Sequence, residues 1–125
     1  MSIDVNETIL IPVGSELNPE EKDRPLAYHI KNAIEERSQG VYQRAIVVSD
    51  RWYLENEMFH LCPTIFIGGP GVNAAVALHY KEIPVVWSDH ESTFIQLKTE
   101  HEDIKAAIWG MDQNTTKAAM ERFIH

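Results

Sequence analysis

Residues 64–74 read TIFIGGPGVNA: a short apolar run, a glycine-rich turn with one proline, and the start of a small, apolar segment. The apolar run is typical of a buried strand, predicted here over residues 64–68. The segment that follows predicts a helix over residues 71–82, buried along most of its girth because its residues are nearly all small or apolar. A buried strand that leads through a tight turn into such a helix is the repeating unit of parallel α/β folds.

Further strand and helix patterns lie on both sides of this unit. Apolar runs bounded by turn residues predict five more strands, over residues 7–13, 44–49, 84–88, 93–99 and 104–109. Helical patterns predict three other helices: one beginning at Pro25, a short one after Asp50, and a C-terminal one capped near Asp112 or Asn114. The order β-α-β-α-β-α-β-β-β-α predicts an α/β protein with a three-layer, Rossmann-like sandwich and a mostly parallel sheet.

The link between the fourth and fifth predicted strands is only residues 89–92. Because a parallel crossover needs a dozen or more residues, this short link predicts one antiparallel strand, the fifth. That strand alternates as a half-exposed strand does, with Phe94, Gln96 and Lys98 on one side and Ile95 and Leu97 on the other. A chain of 125 residues without an internal repeat or a linker is expected to form a single domain, residues 1–125.

Helical spacing also predicts where several side chains lie. Asp50 is expected to cap the short helix that follows the second strand. One face of that helix is predicted to carry Leu54, Met58, Leu61 and Cys62. The inner face of the C-terminal helix is predicted to consist of Ala119, Met120, Phe123 and Ile124.

The charge and composition of the chain exclude several classes of partner. The chain has 11 basic and 19 acidic residues, a formal net charge of −8, and its basic residues are scattered. Because binding to a nucleic-acid backbone requires clustered lysine and arginine, no nucleic-acid partner is expected. No apolar stretch approaches the roughly 20 residues of a membrane span, and the N-terminus lacks a signal-peptide pattern, so no membrane partner is expected. The single cysteine, Cys62, fits a reducing compartment and predicts a cytoplasmic location.

Small and acidic residues mark the C-terminal ends of the predicted strands. Because the ends of parallel strands meet at one edge, where open α/β folds place their ligands, a binding crevice is possible there. Turns between strands and helices also use glycine, serine and aspartate for geometry and capping, so a purely structural role stays open. The strand ends read Gly14-Ser15, Ser49-Asp50, Gly68-Gly69, Ser88-Asp89 and Gly110-Met111-Asp112.

The turn after residue 67 carries the sharpest local motif. Gly69, Gly71 and Ala74 satisfy the pattern G-x-G-x-x-A, and Asp89 closes the next strand 20 residues after Gly69. In dinucleotide-binding proteins such a turn holds a pyrophosphate, and the acidic residue binds a ribose. Pro70 has no N–H to donate to a phosphate bound by this turn. The glycines are also explained if the turn is simply tight and binds nothing. The candidate ligand-binding residues are Ser15, Asp50, Gly69, Pro70, Gly71, Asn73 and Asp89.

Three segments in the second half of the chain together resemble a known family. They are TIFIGGPGVN at residues 64–73, Phe94-Ile95-Gln96-Leu97, and Ile108-Trp109-Gly110-Met111-Asp112 leading to Thr116-Lys117-Ala118-Ala119. In order and spacing they resemble the α/β module of archaeal S-layer proteins, with its G-G-P-x-x-N turn and its strand-Gly-x-Asp-x-x-x-Thr-Arg-x-Ala pattern. The resemblance implies a scaffold or self-assembling module without known catalysis. It also implies a turn formed by Gly68, Gly69, Pro70 and Asn73, with the asparagine side chain securing the loop.

The remaining candidates for chemistry are weaker. His90 lies between Asp89 and Glu91, but consecutive residues of an extended loop splay apart, and no metal site is predicted. Cys62 is expected to be a packed thiol, and the chain contains no Gly-x-Ser-x-Gly elbow. No particular cofactor follows from these residues.

These patterns lead to one leading prediction and two alternatives. Because no convincing set of acid, base and nucleophile is present, the leading prediction is a non-catalytic module that binds a protein partner or itself, with an oligomer expected. The first alternative is a small-ligand domain, with or without enzyme activity, that binds a nucleotide or another anion at residues 68–73. The second is a metal-assisted enzyme that uses Asp50, Asp89 and His90.

Overall fold

A computed structural model describes residues 8–14, 24–37, 44–70, 73–89, 93–100, 103–110 and 113–124 of the protein. Its strands and helices follow one another in the order that the sequence predicts. They are β1 (Thr8–Val13), α1 (Arg24–Arg37), β2 (Arg44–Ser49), α2 (Asp50–Glu55), a 3₁₀ turn (Glu57–Leu61), β3 (Thr64–Ile67), α3 (Ala74–His79), a second 3₁₀ turn (Tyr80–Glu82), β4 (Val85–Asp89), β5 (Thr93–Glu100), β6 (Asp103–Gly110) and α4 (Gln113–Ile124).

Helices α1 and α4 have 14 and 12 residues, whereas α2 and α3 have six each, and the largest difference from prediction is at α3. This helix has six residues instead of the predicted span 71–82, and residues 80–82 continue it as a 3₁₀ turn. The predicted cap of α4 at Asp112, and the side chain of the other candidate cap, Asn114, lie outside the described residues. No helix in the described part of the chain is long and apolar enough to cross a membrane.

All six strands belong to one sheet, in the order β2-β1-β3-β6-β5-β4. The β2–β1, β1–β3 and β3–β6 pairs are parallel, whereas the β6–β5 and β5–β4 pairs are antiparallel. Strand β5 therefore runs against the other five. The prediction of an α/β protein with a mostly parallel sheet is confirmed.

The chain changes direction across the sheet at β1. It first moves from β1 outward to β2, and β3 then lies on the other side of β1. From β3 the chain crosses by α3 to β4 at the far edge and returns through β5 and β6 to the side of β3. The junction between β1 and β3 is a topological switch point, the place where open α/β sheets bind ligands.

Alternate residues along the strands enter two apolar clusters. Ile9, Ile11 and Val13 of β1 pack with residues of α1 and α4, including the predicted inner residues of α4, Ala119 and Met120. Leu10 of the same strand packs instead in a cluster with residues of α2 and α3. Because successive side chains of a strand point to opposite faces, the two clusters lie on opposite faces of the sheet, the first with residues of α1 and α4 and the second with residues of α2 and α3.

The segment after β2 departs from the predicted helix. Ser49, and not Asp50, caps α2, because the Ser49 hydroxyl accepts a hydrogen bond from the Trp52 N–H at 3.0 Å. Helix α2 ends before Asn56, whose side chain donates to the Trp52 carbonyl at 2.7 Å. The prediction that Met58 shares a helical face with buried Cys62 is wrong, since Met58 is 70% exposed. A 3₁₀ turn has three residues per turn, so the four-residue spacing no longer aligns these side chains.

Candidate functional site

The C-terminal ends of five strands share one edge of the sheet. Strands β1, β2, β3, β6 and β4 all run in the same direction, so the turns that follow them lie on the same side. This is the arrangement that the sequence predicts for a crevice. What this edge can bind depends on which of its polar groups lack a hydrogen-bond partner within the protein.

Asn73 lies buried at the switch point and uses every hydrogen-bonding atom of its amide. Its Nδ2 donates to the carbonyls of Pro12 at 3.1 Å and Ile67 at 3.0 Å, near the ends of β1 and β3. Its Oδ1 accepts from the N–H groups of Ala75 at 3.0 Å and Val76 at 3.2 Å in the first turn of α3. Two donors and two acceptor positions are thus occupied. Asn73 ties two strands to a helix and has no free group for a ligand.

Asp50, which directly follows β2, also contacts the junction between β1 and β3 by binding the beginning of α3. This buried residue is the first of α2, and its Oδ1 accepts from the Arg51 N–H at 2.8 Å. Its Oδ2 accepts from the Ala74 N–H at 2.7 Å, at the beginning of α3. Together with the two bonds to Asn73, this contact occupies the first three N–H groups of α3. The chain therefore supplies its own carboxylate where a dinucleotide-binding protein would hold a phosphate.

The two described glycines of the turn have different structural roles. Gly68 has a φ of 99°, a left-handed conformation that glycine adopts without strain, and its N–H donates to the Ile108 carbonyl at 3.0 Å. A Cβ atom on Gly69 would lie 2.6 Å from Cε3 of Trp109, so only glycine lets the indole approach this closely. The close approach at Gly69 is made by a side chain of the protein itself.

Trp109 belongs to a polar network that sequence reasoning missed. Its Nε1 donates to Oε1 of Gln96 at 2.8 Å, and Nε2 of Gln96 donates to the carbonyls of Tyr80 and Ile83 at 2.7 and 2.8 Å. The Phe94 ring stacks on the indole with 4.3 Å between ring centroids. Gln96 was expected on the exposed side of β5, yet it is buried. The antiparallel pairing of β5 with β6 sets Trp109 opposite Phe94 and brings the indole to Gln96, and no sequence pattern predicted this pairing.

Among the remaining predicted site residues, the backbone of Asp89 lies apart from Asp50 and Asn73. Asp89 ends β4, which is separated from β3 by β6 and β5. Three inter-strand spacings correspond to about 14 Å, too far for the Asp89 backbone to flank the turn after β3 directly. Pro70 is partly buried beside Gly69. Ser15, Gly71 and His90 lie outside the described residues, as does the side chain of Asp89.

No nucleophile or metal site emerges from the cysteine and histidine residues that the structure describes. Cys62 is buried in the second apolar cluster. The His60 ring stacks on Tyr53 with 4.1 Å between centroids, and its Nε2 donates to the Tyr53 carbonyl at 2.8 Å. Within the described ranges, no three histidine, cysteine, aspartate or glutamate residues form a group that could hold a metal ion.

An exposed apolar surface borders α3 on its outer side. Ala74, Ala77 and Leu78 are exposed and lie at helical spacing on one face, and Leu78 is 66% exposed. The prediction that this helix is buried along most of its girth is therefore wrong. A six-residue helix reaches the sheet only through its inner face, Ala75 and Val76, and the described residues do not cover its outer face.

Strand β4 adds two further exposed apolar residues on the edge of the sheet. Val85 and Val86 are 53% and 57% exposed. Val85 is paired with Gln96, whose amide contacts the 3₁₀ turn after α3, so Val85 lies on the same side of the sheet as α3. Trp87 packs against the first cluster, on the other side of the sheet, and the register shifts between Val85 and Trp87, so Val86 lies on the α3 side together with Val85. We call these five residues the α3–β4 surface: Ala74, Ala77, Leu78, Val85 and Val86.

Comparison with models of known protein families finds no match to this chain, and comparison with curated proteins finds no significant relative.

Proposed function

We propose that this chain is a non-catalytic protein-interaction module that binds a protein partner through the α3–β4 surface. The observation that carries the proposal is the exposed outer face of α3, a helix made almost entirely of small and apolar residues. A helix that is apolar on all sides is normally covered on all sides. A partner protein supplies the cover that the described part of the chain does not.

The gain from covering this surface is large enough to support association. Complete burial of a leucine or valine side chain contributes about 1.5–3 kcal/mol. Leu78, Val85 and Val86 are each more than half exposed, so each can contribute on this scale when a partner covers it. Clustered exposed apolar residues of this kind mark interaction sites on proteins.

The junction at the switch point supports the non-catalytic part of the proposal. Its described polar groups, the amide of Asn73 and the carboxylate of Asp50, bond to backbone groups of the protein. An anion at the start of α3 would have to displace Asp50 and approach its negative charge. The alternative, a nucleotide or anion site at residues 68–73 with Asp89 and Asp50 nearby, has no comparable observation in its favour among the residues that the structure describes.

The finer fold and biological setting are part of the same proposal. We propose a three-layer, Rossmann-like arrangement, which the two apolar clusters on opposite faces of the sheet support. The likeness to the α/β module of S-layer proteins is supported by the turn in which Asn73 holds Pro12 and Ile67. A cytoplasmic location is supported by the single cysteine, which is buried in a core cluster.

Site-specific photocrosslinking in the native host tests the interaction surface. A photoreactive phenylalanine derivative replaces Leu78, and the matched control carries it at Tyr28, a 46% exposed residue of α1 on the opposite face of the sheet. We expect a discrete crosslinked protein from position 78 and none from position 28, because only the α3–β4 surface contacts the partner. Equal crosslinking from both positions, or none from position 78, contradicts the proposal. A thermal shift with a nucleotide or inorganic phosphate would instead support the anion-binding alternative.

A further inference from the structure

We infer that Gln96 is a positioning residue for the α3–β4 surface: its buried side chain fixes how α3 lies relative to β4. This inference rests on the proposed function, because it concerns the geometry of the same surface. The surface has two parts, the outer face of α3 and the exposed residues of β4, and residues 80–84 join them. The bonds that hold this joining segment therefore decide whether the two parts form one surface.

Both N–H groups of the Gln96 amide hold the joining segment. The amide Nε2 donates to the carbonyl of Tyr80 at 2.7 Å and to the carbonyl of Ile83 at 2.8 Å. Tyr80 lies two residues after the exposed Leu78 of α3. Ile83 lies two residues before the exposed Val85 of β4. One side chain thus holds the joining segment close to both parts of the surface.

Trp109 fixes the orientation of this amide. The indole Nε1–H can only donate, so its bond at 2.8 Å assigns Oε1 of Gln96 to the indole and Nε2 to the two carbonyls, which can only accept. The indole is held in turn, because the Phe94 ring stacks on it with 4.3 Å between centroids and no Cβ atom fits between it and Gly69. Gln96 is 3% exposed, so its three hydrogen bonds form in a buried place where geometry is strict.

Helix α3 depends on this support because it is short and its inner side chains are small. Isolated helices shorter than about 12 residues are marginal in water, and α3 has six residues. Its inner contacts with the second apolar cluster come from Ala75 and Val76. Asn73 and Asp50 bond the beginning of α3, and Gln96 supplies the corresponding bonds just beyond its end. Loss of the Gln96 amide should therefore loosen the end of α3 and leave its beginning in place.

Amide hydrogen exchange of the full chain, followed by NMR, tests the positioning role. Gln96→Met keeps a similar length but has no donor, and the matched control Ile30→Val removes one methyl group from the core on the opposite face of the sheet. In Gln96→Met, we expect exchange at the Tyr80 and Ile83 N–H groups to become about tenfold faster, because their local opening breaks the two lost bonds. Ile30→Val should leave these two rates unchanged, because opening the end of α3 breaks no contact of α1.

A second variant keeps the test decisive if Gln96→Met does not fold, which circular dichroism would show. Trp109→Phe keeps an aromatic ring against Phe94 but removes the Nε1 donor that orients the Gln96 amide. We expect exchange at the Tyr80 and Ile83 N–H groups to become about threefold faster in this variant. Unchanged exchange at both groups would then overturn the inference.

Photocrosslinking from position 78 connects the positioning role to binding. Gln96→Met is expected to lower the crosslinked fraction in the host about fivefold, because a surface that must be ordered on binding costs free energy. Ile30→Val, which leaves the joining segment intact, is expected to leave the crosslinked fraction unchanged. The two variants thus separate the position of α3 from the overall stability of the protein.

The outcomes separate this inference from the proposed function. Unchanged exchange at Tyr80 and Ile83 in Gln96→Met, or an equal increase in Gln96→Met and Ile30→Val, overturns the positioning role. A wild-type crosslink from position 78 that Gln96→Met does not reduce also overturns it and leaves the proposed function standing. Faster exchange in Gln96→Met alone, with no crosslink from position 78 in the otherwise wild-type chain, supports the positioning of α3 and overturns the proposed function.

Discussion

The beginning of α3, which we call its base, and the outer side of the same helix differ in whether their side chains already have partners within the protein. At the base, Asn73 and Asp50 are buried, and their side chains make six hydrogen bonds to backbone groups of strands and helices. On the outer side, five residues after Asn73 in the chain, Leu78 presents most of its surface to solvent. One helix thus joins a fully bonded polar junction to an exposed apolar surface.

This difference shows where binding capacity remains. A buried polar group that already has its partners gains little from a ligand, and breaking its bonds carries a penalty. An exposed apolar side chain gains free energy when any suitable surface covers it. In this protein, the location of a residue at the topological switch point is therefore a weaker guide to binding. The hydrogen bonds and apolar surface that a residue still has available are a better one.

Among the variants that test this difference, Asn73→Ala should lower the free energy of unfolding most. The change removes both donors to the carbonyls of Pro12 and Ile67, and it removes the cap of α3. A buried polar group left without a partner costs about 1–3 kcal/mol, so we expect the free energy of unfolding to fall by about 3 kcal/mol. Urea denaturation measures it. Asn73→Asp should not restore the lost stability, because its second carboxylate oxygen faces the carbonyl oxygens of Pro12 and Ile67 and cannot donate to them. A loss below about 1 kcal/mol in Asn73→Ala would contradict the role of the junction.

Gly69→Ala tests the contact between the turn and the indole. The added Cβ would lie 2.6 Å from Trp109, and overpacking of this kind costs about 1–3 kcal/mol, so we expect a loss of about 2 kcal/mol. In a background where Trp52 and Trp87 are replaced by phenylalanine, the emission of Trp109 should also shift. Unchanged stability and emission would mean that Gly69 has room for a side chain and is free for another role.

Glu35→Gln on the exposed surface of α1 should give the smallest effect. The hydrogen bond from Lys31 Nζ to Glu35 Oε1 at 2.8 Å lowers the pKa of the Glu35 carboxyl, while partial burial opposes this shift. A lowered pKa stabilises the folded state above the carboxyl's unfolded pKa, and the stabilisation is lost as the pH falls through the folded pKa. We expect a loss of about 0.3 kcal/mol at neutral pH, given the solvent exposure of the pair.

The difference between Glu35→Gln and the wild type should shrink as the pH falls through the lowered folded-state pKa of Glu35, and it should disappear once the carboxyl is protonated in both states. Urea denaturation at neutral pH and over a series of acidic pH values measures this difference. A difference that persists in acid would assign the effect to a contact other than the ion pair.

Local patterns predict the elements of this fold well. The apolar runs predict all six strands, and the short link after β4 predicts that β5 runs antiparallel. The inner residues of α4 follow from helical spacing because Ala119 and Met120 lie on one face. Such predictions succeed because spacing, turn residues and linker length act over a few neighbouring residues.

The site is less predictable because its contacts join residues far apart in the chain. Asp50 and Ala74 are 24 residues apart, and Asn73 and Pro12 are 61 apart. The placement of Asp89 depends on the crossover from β3 to the far edge, which no local pattern specifies. Gln96 has the position of an exposed residue by alternation, and only the indole and the 3₁₀ turn explain why it is buried.

The sequence by itself determined the succession of strands and helices, the direction of β5 and the common edge of the strand ends, because each depends on residues close together in the chain. Only the tertiary structure decided the strand order, the capture of the start of α3 by Asp50, and the exposure of Leu78. These depend on which distant segments come into contact, and the apolar character of α3 does not reveal whether its own chain or another one covers it.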